Sequence, residues 1–437
     1  MYVGGGDMAS HYSHSEKPSS TGPGFWRLSI AACAAVLSFC SSVLVARTLG
    51  PSAFGSYTLA LWLATVMIPA IGVGMSTLTS RHIAEIQTRE APRLAAGIFY
   101  FVWQQQYSRI LLYCIIYLLL IFPCSWFFGT RAPVLLLLLA GLTAPPLLLS
   151  SIVGTTLRSL RRFNLLAVIH LLGAVTTLLL ILIALQVPGE QIRLLLLVSA
   201  TSGVLTLLVG LICIIRLLPM QQPFPPGPFL KERLTRGLSN SLLLFTLDAI
   251  VWQRAELILL AHWRSAAELG FYALSSLLSA SIMDIPPSLL ATCVLPLLLR
   301  YAPMHRYISA DEAFATTSRY MLILTLPICV LMLLFCPALI TFCFGNAYLP
   351  AVTPLRILLI ASAFGSVATV SLTQLANGER KRAQVWLALG AAILHIALAL
   401  PCIVLWGMIG IAVASTLARV VSAVGSVIIC KKLMGTS

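Results

Sequence analysis

The sequence predicts an all-α polytopic membrane protein of about twelve transmembrane helices, arranged as two six-helix lobes related by an internal repeat. Three observations carry that expectation. Hydrophobic residues make up 59% of the 437-residue chain and charged residues 9%, where soluble domains carry roughly 25% charged residues. A water-soluble fold could not cover that much apolar surface. Next, Arg47–Tyr57 is echoed 215 positions later: Ala46, Gly55, Tyr57 and Leu59 recur as Ala261, Gly270, Tyr272 and Leu274, and Leu269 answers Phe54. Both copies lie between long apolar runs, so each reads as a tight loop joining two membrane helices. Internal symmetry on that scale marks transporters whose substrate site lies between the repeats. The third observation is the placement of the basic residues.

Apolar spans fall near 25–46, 56–78, 98–122, 132–154, 165–187, 192–215, 238–261, 268–298, 320–341, 352–375, 383–405 and 407–430. With a cytoplasmic N-terminus, 20 of the 28 basic residues lie on inner segments, among them Arg158, Arg161, Arg162, Lys231, Arg233, Arg236, Arg380, Lys381 and Arg382. Arg47, Arg131, Arg193, Arg264 and Arg356 fall on outer loops, and Arg109, Arg254 and Arg419 inside spans. This is a positive-inside asymmetry, and it places both termini in the cytoplasm. It also accounts for the net charge of +15 without a nucleic-acid partner. Trp26, Trp103, Trp126, Trp263 and Trp406 lie near span ends and read as interfacial anchors.

The domain order follows. Residues 1–24, rich in Gly, Ser, His and Pro, form a disordered cytoplasmic tail. They are not a secretory signal, because the apolar region after them is too long and runs into the repeated loop. Residues 25–216 form the N-terminal lobe. Residues 217–237 are a cytoplasmic linker in which Pro219–Pro228 holds five prolines and a glycine, followed by the basic run Lys231–Arg236; such a stretch cannot be helical. The C-terminal lobe takes 238–430, and 431–437 is a short cytoplasmic tail.

No cofactor or metal is expected. The eleven cysteines lie almost entirely inside spans with no CxxC pair, where they behave as small apolar residues. His11 and His14 sit in the flexible tail. There is no Gly-rich phosphate loop with its Lys-Ser/Thr, and the outer loops hold only Glu190 and Glu268 as acids. An enzyme of envelope-glycan assembly would want a sizeable extramembrane loop with acidic catalytic residues, so the chain is not expected to be an enzyme.

Several segments resemble polysaccharide flippases of the O-antigen type, in the multidrug/oligosaccharidyl-lipid/polysaccharide exporter superfamily. They are Ala46–Pro51 with Phe54–Tyr57, Arg81–Glu85, Arg254–Glu256 with Glu268–Tyr272, Tyr348–Leu358 and Trp406–Ser415. The family more often has Asp where Glu256 stands, which keeps the charge. The resemblance covers residues 25–430. It implies a V-shaped pair of six-helix bundles in the bacterial inner membrane that alternate access. The implied cargo is an undecaprenyl-diphosphate-linked oligosaccharide, carried from the cytoplasmic to the periplasmic face for surface polysaccharide such as O-antigen or exopolysaccharide. Membrane lipids, and the polysaccharide polymerase and export machinery, are the further candidate partners. The alternative within the superfamily is a drug or cation exporter, which would want an acidic cavity.

Ionisable residues inside a bilayer cost at least about 2.5 kcal/mol each on insertion scales, so they are functional candidates by default. Arg254 lies deep in the seventh span, with Asp248 before it and Glu256 after it. Its guanidinium could grip a diphosphate through paired hydrogen bonds, or pair with an acid of another span such as Asp284. Glu256 is a poor local partner for it, because two residues of helix put the side chains on nearly opposite faces. Arg47 either lines the cavity mouth or snorkels to headgroups. Arg109 follows the polar run Gln104–Ser108; it either faces the cavity or shows that the third helix starts later. Arg419, His170 and His395 read as structural. Asp284, before Pro286 and Pro287, either takes up a proton or neutralises Arg254; Asp248 and Glu256 are the other proton-coupling candidates.

The charge asymmetry sets a direct test. Cysteine-accessibility labelling should place Arg161, the Lys231–Arg236 run and Arg380 on the cytoplasmic side, and a periplasmic position for any of them would break the twelve-span arrangement.

Overall fold

The computed structural model describes residues 23–66, 68, 92–129, 133–160, 162–187, 189–218, 256–289, 310–377 and 381–434. These form the helices α1 (Pro23–Thr65), α2 (Pro92–Phe128), α3 (Val134–Gly141), α4 (Ala144–Ser159), α5 (Phe163–Ala184) and α6 (Gln191–Leu217). They continue as α7 (Glu256–Trp263), α8 (Ala266–Leu289), α9 (Ala310–Cys343), α10 (Val352–Asn377) and α11 (Lys381–Met434), with a 3₁₀ turn at Asn346–Ala351. No strand forms among the described residues. Nine helical stretches among them are long and apolar enough to cross a membrane, and many of their large side chains face outward. Leu119 and Phe122 of α2 are 71% and 72% exposed, a surface that only lipid can cover.

Two of the nine stretches hold two crossings each. In α1 the backbone breaks at Gly50, at φ 69°, and Ser38 and Thr65 line one cavity. A straight helix would hold those residues about 40 Å apart at 1.5 Å per residue, so the chain doubles back at Gly50. In α11 the break is Gly407, at φ 59°; Gly425 packs against the side chain of Leu387, which requires the same reversal. Positive φ is cheap only for glycine, and Pro51 after Gly50 has the fixed φ that suits a helix start. The loop expected between the first two spans therefore shrinks to one residue. Most of the expected spans have a described helix; the seventh is described only at one end, as α7, and the second and eighth only in part. The N-terminal tail, the proline-rich linker, Arg81–Glu85, Asp248 and Arg254 lie outside the described residues.

The polar run Gln104–Ser108 and Arg109 lie well inside α2, which starts at Pro92; a later helix start is thereby corrected. Trp26, Trp126, Trp263 and Trp406 are exposed near helix ends or at the Gly407 break. Trp103 is different: it sits within α2, its ring 5.6 Å from that of Phe99.

Helices α1–α6 pack on one another, as do α7–α11, and the main contact between the two sets is α1 on α8. That contact is built from the repeated motif. Ala46, Leu59, Ala261, Leu269 and Leu274 are 0% exposed in one continuous apolar core. At its centre two backbones touch: a methyl on Gly270 would strike the carbonyl oxygen of Pro51, and one on Gly55 that of Ala266. Pro51 and Ala266 are themselves 215 residues apart, so the contact is reciprocal. Only the absence of both Cβ atoms permits the approach.

Overpacking such a site costs about 1–3 kcal/mol. Gly270→Ala should lower the thermal unfolding midpoint of the detergent-solubilised protein by several degrees. Gly390→Ala, where an added Cβ meets nothing within 4 Å, should leave the midpoint unchanged or raise it slightly.

Candidate functional site

A cavity of about 520 Å³ lies within the first helix set. Both arms of α1, with α4, α5 and α6, form its walls, and Leu277 of α8 completes one side, at the seam between the two sets. Among its described lining residues half carry a hydroxyl group and none is charged. Helical periodicity gathers them: Ser38, Ser41, Ser42 and Val45 share one face of the first arm, and Phe54, Thr58, Leu61 and Thr65 one face of the second. Leu195, Ser199, Ser202 and Thr206 do the same on α6. Most of these hydroxyls donate to a carbonyl one turn back, as Ser41 does to Leu37 (2.9 Å), Thr58 to Phe54 (2.9 Å), Thr177 to Gly173 (2.8 Å) and Thr206 to Ser202 (2.8 Å). The Tyr57 hydroxyl lies 3.3 Å from that of Ser199.

The internal repeat places a different chemistry at the matching positions of the second set. Glu256 stands where the first half has Ser41, and Tyr272 where it has Tyr57. Glu256 is 1% exposed. Its Oε1 accepts hydrogen bonds from the Tyr272 hydroxyl at 2.6 Å, the Ser415 hydroxyl at 3.2 Å and the Arg419 guanidinium at 3.4 Å. Ser415 thus meets the Tyr272–Glu256 pair much as Ser199 meets Tyr57. One helical turn beyond each serine, Gly203 lines the cavity and Arg419 holds the carboxylate. Where the first half is hollow, the second holds a bonded ion pair.

The remaining candidates are dispersed. Arg47 is exposed; its Nη2 donates to the carbonyl of Phe342, at the end of α9, at 3.1 Å. The Tyr348 hydroxyl donates to the carbonyl of Ala46 at 2.7 Å. These two bonds tie the end of the first arm of α1, next to the Gly50 reversal, to the second helix set. Neither Arg47 nor Arg109 lines the cavity. Asp284 lies on α8, with its side chain outside the described residues, as are Arg254 and Asp248. The reading from charges missed the hydroxyls, although their spacing in otherwise apolar spans was a usable signal.

The model of the polysaccharide biosynthesis protein family matches residues 44–353. The chain belongs to that family and is a multi-pass membrane protein. Its fold is similar to that of the lipid II flippase MurJ in an inward-closed conformation, with TM-score 0.65 at 12% identity, covering 93% of this chain and 87% of that one. It is similar as well to an outward-facing multidrug resistance MATE family transporter of the MOP superfamily (TM-score 0.62, 15% identity, 94% and 95% covered). A MOP superfamily transporter from Pyrococcus furiosus is a further match (TM-score 0.58, 14% identity, 94% and 95% covered). At these identities the likeness establishes the fold. No curated protein sequence shows significant similarity to the chain.

Removing one partner of a buried ion pair costs about 3–5 kcal/mol, because the other charge is left uncompensated. Arg419→Met should therefore strongly destabilise the solubilised protein, whereas Arg419→Met combined with Glu256→Gln should recover most of the loss in thermal unfolding. Equal destabilisation by the single and double variants would mean that the pairing itself contributes little.

Proposed function

We propose that this chain is a flippase that moves undecaprenyl-diphosphate-linked oligosaccharide from the cytoplasmic to the periplasmic face of the bacterial inner membrane. It would work by alternating access of its two helix sets, with both termini in the cytoplasm. The cargo's diphosphate and hydroxyls lose their hydrogen bonds to water in hydrocarbon, so unassisted crossing is prohibitively slow. A carrier must offer a polar compartment at the seam between its moving halves and leave the isoprenoid tail in lipid. The observation that carries this reading is the cavity beside Leu277: lined by hydroxyls among apolar side chains, bordered by the opposite helix set at Leu277, and free of charge among its described lining residues. A cavity for drug cations would place a carboxylate there, so the cavity favours a glycolipid over the cation cargo of other superfamily members. Membership of the polysaccharide biosynthesis protein family supports the same cargo.

The diphosphate needs a cation, and Arg254 in the seventh span is the one we assign to it. In a strain whose surface polysaccharide depends on this chain, Arg254→Ala should abolish that polysaccharide and cause lipid-linked precursor to accumulate, with protein abundance near wild type. Arg254→Lys should rescue in part, since a point charge lacks the two-pronged geometry. Loss of the protein itself would assign Arg254 to a structural ion pair. Export of a cationic dye with normal precursor levels would overturn the flippase reading.

A further inference from the structure

The two halves are built on the same motif but treat one internal position in opposite ways. We infer that the cavity of the first half is the sugar-binding subsite of the carrier, selective for an uncharged glycosyl residue, and that the second half has lost the equivalent space to its ion pair. This rests on the glycolipid reading above and assigns the sugar to a place distinct from the diphosphate.

The chemistry of the wall sets the class of ligand. A hydroxyl has one proton to donate and two lone pairs to accept with. Along the cavity most of the hydroxyl protons are already committed to helix carbonyls: Ser41 to Leu37, Thr58 to Phe54, Thr177 to Gly173, Ser199 to Leu195 and Thr206 to Ser202. What faces the empty space is therefore a surface of acceptor oxygens. A phosphate, which itself only accepts, would find few protons to accept and no positive charge among the described lining residues. A cation would have to shed its water with no carboxylate to compensate. A sugar ring fits, because it brings several hydroxyl donors, and Trp62 and Phe54 offer apolar faces for its C–H surfaces. The volume, about 520 Å³, falls within the roughly 300–1,000 Å³ of small-molecule sites.

The repeat explains why one half binds and the other does not. Glu256 occupies the repeat position that Ser41 holds in the first half, and Arg419 stands one turn past Ser415 as Gly203 stands one turn past Ser199; both charged residues are buried, at 1% and 7% exposure. The second half thus places two large charged side chains where the first has a serine and, one turn past Ser199, a glycine. An added Cβ on Gly203 meets only Pro146, at 3.5 Å, so the cavity side of α6 has space for a larger residue.

Two variants of the full chain in lipid nanodiscs test this. Thr58→Val, Thr177→Val and Thr206→Val together keep the shape and remove three acceptors. Ser41→Glu with Gly203→Arg places a carboxylate and a guanidinium on two walls of the cavity, as Glu256 and Arg419 stand in the second half. The probes are undecaprenyl diphosphate bearing one N-acetylhexosamine and undecaprenyl diphosphate without sugar. Wild type should bind the glycosylated probe at least about tenfold more tightly. Both variants should lose that difference while keeping wild-type affinity for the sugar-free lipid. A folded variant of either kind that retains the sugar-dependent gain overturns the inference and leaves the flippase reading standing. A wild type that binds neither probe overturns both.

Discussion

The arrangement depends on one backbone contact, the crossing of α1 and α8 at Gly55 and Gly270. Each glycine lies against a carbonyl of the other helix, that of Ala266 and that of Pro51, so the two helix sets meet through a self-complementary surface. In lipid there is little hydrophobic drive between helices, and close packing of small residues supplies the association instead. The crossing also orders its surroundings. It buries Ala46, Leu59, Ala261 and Leu274 and brings Leu277 against the cavity of the opposite half. The bonds Arg47–Phe342 and Tyr348–Ala46 close the seam on the same side as the Gly50 reversal.

Around that symmetric contact the halves diverge in their polar interiors. In a bilayer an ion pair such as Glu256–Arg419 is tolerated only because the two charges meet each other and Tyr272 and Ser415 supply further hydrogen bonds. It holds α7, α8 and α11 together through four side chains. The first half uses neutral hydroxyls bonded to their own helices, which costs far less desolvation and leaves a cavity. Among the described residues, one half thus carries a buried charge pair and the other a cavity with an uncharged lining. At the repeat offset the serine at 41 in the first half is answered by Glu256 in the second.

The apolar surface fits the same economy. Exposed Leu119, Phe122, Trp126 and Phe342 would be a fault in water and are ordinary in lipid. They also explain why polar residues inside spans mattered as signals: with hydrocarbon outside, a serine or arginine must face protein or a cavity.

Composition, span spacing and charge asymmetry determined a helical membrane protein of two repeated halves, because bilayer thickness and hydrogen-bond satisfaction leave a chain of this hydropathy no other architecture. The repeat itself could be read residue by residue, down to Gly55 and Gly270. Its meaning could not: a loop and a helix crossing look alike in one dimension, and only packing revealed two glycines in contact. Charged residues inside or at the ends of spans were legible, as with Glu256 and Arg47. Their partners, Arg419 at 163 positions' distance and the Phe342 carbonyl at 295, were not, since sequence separation says nothing of proximity between helices. The hydroxyl cavity was least visible, because serine and threonine are cheap within a helix and mark a site only when several helices turn the same face inward. That convergence is a property of the packing of α1, α4, α5 and α6, and the tertiary structure alone decided it.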